Sequence, residues 1–222
     1  MVPIKLNWIY CEDAKEFQEK LKNVKGQLGI YVWIMKKSTP HRVFYVGEGD
    51  IWTRTLSHFE ESISGRWMIF CWGFKNGDYL DFLGEKVSGK DIKTELNKSE
   101  IEMGKEPDIV EAFLIPDKIR DRIDYISNNF SYAFAVSEEI NHKHKDTRQT
   151  VEALLITKLR EYYTTKCPVG KLKNTKRPLD YIVGGIKSSN DMDSILIEHG
   201  GESKKLPEEL QIIKDKKTVM CP

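Results

Sequence analysis

Residues 28–59, LGIYVWIMKKSTPHRVFYVGEGDIWTRTLSHF, decide the fold of this chain. Leu28 to Met35 holds no charged residue, is apolar on both faces and is rich in β-formers, so it reads as a buried strand. Lys36 to His41 is polar, contains Pro40 and reads as a turn. Arg42 to Val46 is a second short strand, and the two form an expected hairpin. Gly47, Glu48, Gly49 and Asp50 are expected to break that strand. Asp50 can then cap a helix running to about Gly65. On that helix Arg54 and His58 stand four residues apart and share a face. Tyr31 and Tyr45 lie one on each strand. A hairpin followed at once by a helix can bring two phenols, a guanidinium and an imidazole near one another. Taken singly, each has an ordinary explanation: strand tyrosines usually pack, and helical Arg–His pairs usually face solvent.

A second stretch points to chemistry on its own. Asp146 to Tyr163 is the clearest late helix. At about 100° per residue, Val151, Leu155, Ile156, Leu159, Tyr162 and Tyr163 gather on one side. Glu152 falls inside that apolar arc, between the directions of Leu159 and Tyr163. Lys158 intrudes near the arc's edge, but a long lysine can snorkel to water. A glutamate cannot easily do so, and a carboxylate aimed at a core is costly unless something pairs with it. A bound cation is one such partner; a salt bridge, to Arg54 for instance, is the other. Glu161 points to the polar side and is expected to be solvated.

The GIY at Gly29, Ile30 and Tyr31, followed by YVG at Tyr45, Val46 and Gly47, resembles the GIY-YIG nuclease family. Arg54 followed by His58 is similar to that family's third element. Glu152, ahead of the apolar run ALLITKL, resembles its metal-binding glutamate, and Asn174 resembles the asparagine beyond that helix. The resemblance implies an α/β fold: a small, mainly antiparallel sheet flanked by helices, with an inserted subdomain and a C-terminal extension. It also implies a metal-dependent DNA endonuclease. In that reading Tyr31 takes a proton from water, His58 relays it, and Tyr45 orients the water or Tyr31. Arg54 holds the phosphate, Glu152 coordinates one Mg²⁺ or Mn²⁺, and Asn174 steadies a neighbour or the phosphate. The alternative is a non-catalytic nucleic-acid-binding module on a nuclease-like scaffold; the intact Tyr/Tyr/Arg/His/Glu set argues for the enzyme.

The length, 222 residues, suits one domain. Its core is expected over about 26–65 and 128–177, with an insertion over about 66–127 and an extension over 178–222. Phe130 to Val136 is the expected third core strand. Pro3 to Tyr10 reads as a further strand, Asp13 to Val24 as an amphipathic helix ended by Gly26, and Asp117 to Ser127 as another helix. The extension is expected to wrap the core. Trp67, Phe70, Trp72 and Phe74 read as a buried strand rather than a base-stacking platform. The net charge is only +1, which excludes a polycation and requires any nucleic-acid affinity to come from a local patch. Lys166 to Arg177, KCPVGKLKNTKR, is that patch: it has no acidic residue, and Lys171, Lys173, Lys176 and Arg177 are the candidate phosphate contacts. The scattered cysteines, Cys11, Cys71, Cys167 and Cys221, fit no metal spacing and read as free thiols in a reducing cytoplasm. No apolar run approaches a membrane span and no signal-peptide pattern opens the sequence, so no membrane partner is expected. A lone site cuts one strand at a time, so double-strand cleavage requires a homodimer or two events.

Overall fold

Phe130–Val136, FSYAFAV, has no charged residue, and it becomes the middle strand of a five-stranded sheet. The computed structural model describes residues 3–36, 41–63, 116–141, 144–166 and 195–214. The elements in order are β1 (Ile4–Cys11), α1 (Ala14–Leu21), β2 (Leu28–Met35), β3 (Arg42–Asp50), α2 (Ile51–Ile63), α3 (Pro116–Asn129), β4 (Phe130–Val136), α4 (Lys145–Lys166), β5 (Ile197–Gly201) and the short α5 (Glu208–Gln211). The sheet order is β3-β2-β4-β1-β5. The β2–β3, β2–β4 and β1–β4 pairings are antiparallel, and β5 runs parallel to β1. The protein is therefore of the α/β class, with a mixed sheet that is mainly antiparallel. Among the described residues no helix is long and apolar enough to cross a membrane.

Side-chain size explains the centre of the sheet. Seven of the eight β2 residues are buried, so both faces of that strand are covered. Gly29 lies so close to β4 that a Cβ would collide with the Ala135 carbonyl. On one face, Trp33 of β2 meets Tyr132 of β4 edge-on with ring centroids 4.9 Å apart. Phe17 of α1 stacks on Tyr132 at 4.8 Å, and Phe59 of α2 reaches Trp33 at 5.0 Å. One aromatic layer thus seats both helices. The amphipathic segment before β2 ends as expected near Gly26, whose φ is +77°, but its last turn tightens to a 3₁₀ turn over Lys22–Val24.

One expectation is corrected. The strand begun at Arg42 does not end at Val46 but runs to Asp50. Gly47 pairs with Tyr31, Glu48 with Ile30, Gly49 with Gly29 and Asp50 with Leu28. Those glycines satisfy local space and conformation rather than breaking the ladder. The helix then starts as expected, with Asp50 Oδ1 accepting from the Thr53 amide at 2.8 Å. The helix expected over Asp117 to Ser127 forms as Pro116–Asn129, packs on α2 and leads straight into β4. Residues 64–115, which hold the Trp67–Phe74 aromatics, lie outside the described residues. The described part of the extension packs on the core, as expected. Leu206, Leu210 and Ile213 are buried, and so is Glu209, which accepts from the Val43 amide at 3.1 Å and pairs with Arg42 at 3.5 Å. The extension thus wraps the core at two edges, as β5 beside β1 and as α5 against β3.

Candidate active site

The β2–β3 register sets two phenols on one face. Tyr31 stands opposite Gly47, and Tyr45, two residues before Gly47, lies diagonally across. Their ring centroids are 6.0 Å apart. The absence of a side chain at residue 47 creates this arrangement: a Cβ there would occupy the space of the Tyr31 Cζ and hydroxyl. Gly47→Ala should therefore displace the Tyr31 hydroxyl while the sheet still forms. If the cluster cuts nucleic acid as the resemblance implies, the expected result is a cooperative melt with cleavage reduced about 10²-fold, the usual cost of a misplaced reacting group. Full activity in that variant would show that the hydroxyl has room to spare.

Helix α2 follows β3 without a loop and carries the other two groups over the phenols. His58 is buried, and its Nε2 lies 2.9 Å from the Tyr31 hydroxyl. Its ring centroid is 5.0 Å from that of Tyr45. Arg54, exposed one turn earlier, hydrogen-bonds both phenols. Its stem passes Gly49, whose φ of +130° is left-handed backbone open to glycine, and a Cβ at that position would press on the Arg54 Cγ at 3.3 Å. Tyr31, Tyr45, Arg54 and His58 therefore form one connected cluster.

Burial dominates the electrostatics of the cluster. It pushes the Tyr31 phenol well above its ordinary pKa; Tyr45 adds to the rise, and Arg54 only partly opposes it. Tyr45 is raised as well, first by burial. Both phenols are therefore protonated at neutral pH. At Tyr31 desolvation outweighs the opposing charge of Arg54.

Glu152 reaches the site from α4, which lies along β3. It is half-buried, not directed into the core as the helical arc suggested. The arc itself is incomplete: Ala153 and Leu154 are buried too, because α5 covers a second side of α4. Lys158 does not snorkel to water either. It is 4% exposed, and its ammonium meets the exposed Glu161 at 2.7 Å. The Glu152 carboxylate accepts from the Glu48 backbone amide on β3 and acts electrostatically on Tyr45 and Arg54. Burial, then the charge of Glu48, pushes its pKa up to about 7. Among the described residues no ion pair joins it to Arg54 or Arg148; Arg148 is instead bonded to Glu48.

Glu209 is an internal comparison. It also caps a β3 amide, that of Val43, but it has Arg42 beside it. Glu152 does the same for Glu48, but among the described residues no cation forms an ion pair with it, and Arg54 and Arg148 only weakly lower its pKa. Its oxygens are hard donors that suit Mg²⁺ or Mn²⁺. Among the described residues no group of three or more His, Cys, Asp or Glu converges as a ready-made cage. In comparisons with known proteins, no family model, curated protein or solved structure matches this chain.

Of the residues singled out in the sequence, five meet here: Tyr31, Tyr45, Arg54, His58 and Glu152. Asn174 and the basic residues Lys171, Lys173, Lys176 and Arg177 lie outside the described residues. Two residues with a part in the site were missed, Glu48 and Arg148. Arg148 precedes Glu152 by one helical turn, and Glu48 is a charge set between two glycines that a breaker reading passes over.

Proposed function

We propose that this protein is a metal-dependent DNA endonuclease whose fold and site resemble those of the GIY-YIG nucleases. The observation that carries the reading is the Tyr31–Tyr45–Arg54–His58 cluster, which appears in the order and spacing of the motif and with one half-buried carboxylate facing it. Phosphodiester hydrolysis needs a base for water, positive charge at the phosphate and relief of charge on the departing oxygen. Arg54 is exposed enough to grip a phosphate oxygen while its donors also hold the phenols. A protonated Tyr31 cannot simply accept a proton. It takes one from the attacking water only as it passes its own to Nε2 of a neutral His58. The water oxygen then bonds to phosphorus, the ester P–O bond breaks, and the departing oxygen is protonated from solvent. Tyr45 orients Tyr31 through their shared hydrogen bonding. Glu152 holds the Mg²⁺ or Mn²⁺ ion, which when bound neutralises charge on the phosphate and the departing oxygen.

DNA is the proposed partner, with Lys171, Lys173, Lys176 and Arg177 contacting the backbone and Asn174 steadying a neighbour or the phosphate. The proposed location is the cytoplasm. Incubation with supercoiled plasmid, branched DNA and RNA under Mg²⁺ or Mn²⁺, with ends mapped, tests the activity. Nicked or linear plasmid that disappears with EDTA is the expected product. Binding without strand cleavage in either metal would leave only the non-catalytic module. Linear product formed without a nicked intermediate would indicate a homodimer.

A further inference from the structure

Arg148 is a buried guanidinium for which the catalytic cluster has no use. It is 4% exposed, and its Nε and Nη1 donors go to three acceptors. Its Nε donates to Glu48. Its Nη1 donates to the carbonyls of Ile140 at 3.3 Å and Asn141 at 3.1 Å, in the turn just before α4. Glu48 offers its side chain to Arg148 and its backbone amide to Glu152. Arg148 and Glu152 are one turn apart on α4, so they share a helix face. One strand residue is thus gripped twice by the same helix, at two successive turns. Without Arg148, two carboxylates would stand at the site in place of one.

We infer that Arg148 is a positioning residue: by taking up Glu48 it leaves Glu152 as the single carboxylate presented to the cation, and it fixes the turn of α4 that carries it. This rests on the nuclease reading above. The inference assigns opposite effects to the two partners. Removing Arg148 frees Glu48 to join Glu152, so the site gains a negative ligand. Removing the Glu48 charge frees Arg148 to pair with Glu152 one turn away, so the site loses its negative charge. A merely structural pair would damage the site in the same direction whichever partner is lost.

Mn²⁺ binding to the DNA-free protein, followed by electron paramagnetic resonance of the free ion, reads the sign directly. Arg148→Met should tighten Mn²⁺ about tenfold, and Glu48→Gln should weaken it about tenfold, the scale on which outer partners tune metal sites. The double variant should return near the wild-type affinity, and Arg148→Lys should retain it. Plasmid nicking should fall in both single variants. If Arg148→Met fails to melt cooperatively, the double variant, which leaves neither charge of the pair behind, and Glu48→Gln, with its own melt recorded, carry the test. Glu48→Gln with affinity equal to or tighter than wild type overturns the inference, as do two single variants shifted in the same direction. Wild-type protein that binds Mn²⁺ yet cuts no nucleic acid sinks the nuclease reading instead, and the opposite shifts remain measurable.

Discussion

Glu152→Gln should eliminate Mg²⁺-supported cleavage and, in EDTA, raise the melting temperature. The substitution keeps size, shape and an oxygen to accept from the Glu48 amide, and it removes only the charge. That charge is held at a half-buried position beside another carboxylate, which lifts its pKa from 4.5 to about 7. An acid that binds its proton more tightly folded than unfolded costs stability as it ionises. Below pH 4.5 the carboxyl is protonated in both states, and the two proteins should melt alike. The gap should open as pH climbs through the interval to about 7 and be complete above it. The full shift corresponds to roughly 3 kcal/mol, and solvent screening of a half-buried group reduces it to about 2 kcal/mol. For a chain of this length that is about 4–8 °C. DNA binding should survive or improve, since a negative charge near the phosphate has gone. A salt-bridged Glu152 predicts the reverse, a loss of about 3–5 kcal/mol on removing one partner. Melts across pH beside a nicking assay separate the two; strong destabilisation with cleavage intact would dismiss the metal-ligand role.

Tyr31→Phe should lower cleavage about 10²–10⁴-fold, the usual consequence of losing a general base. The ring stays in its slot over Gly47, so the fold should hold. The lost hydroxyl leaves the buried His58 Nε2 without this partner, which costs about 1–2 kcal/mol. DNA affinity should change little, because in the proposed mechanism Arg54 and not the phenol grips the phosphate. Single-turnover rates with saturating DNA give the decisive comparison. Near-normal turnover in a folded variant would move the proton acceptor to Tyr45, which shares the hydrogen-bonded cluster.

Much of this architecture could be read from residue order alone, and the reason differs by element. β2 and β4 announce themselves by a run of seven or eight residues without a charge. α1 and α2 show apolar spacing and a capping aspartate. The cluster was legible because its four residues come from one hairpin and the helix joined to it, within 28 residues of sequence from Tyr31 to His58. The continuation of β3 was not legible. A glycine in a strand reads as a breaker unless the size of its neighbour, here Tyr31, is known. Glu48 and Arg148 could not be paired in advance because their contact spans 100 positions. Glu209 looks solvated by composition and is buried where the tail folds onto β3, and Lys158 looks solvated too but is buried on α4.

The place of β4 in the sheet has a kinetic consequence. Its partners are Tyr31 with Phe134 on one side and Cys11 with Tyr132 on the other, so the middle of the sheet closes only after very distant segments meet. Such pairings pay loop-closure entropy before they gain contacts, and they slow folding. The contacts of β2, β3 and α2 with one another are local and can form transiently ahead of them. Glu152, on the helix that follows β4, then arrives late, after the phenols, arginine and histidine are already near one another. Pulse-labelled hydrogen exchange during refolding should show β2–β3 amides protected before those of β1–β4. Simultaneous protection throughout would mean that the sheet closes in one step.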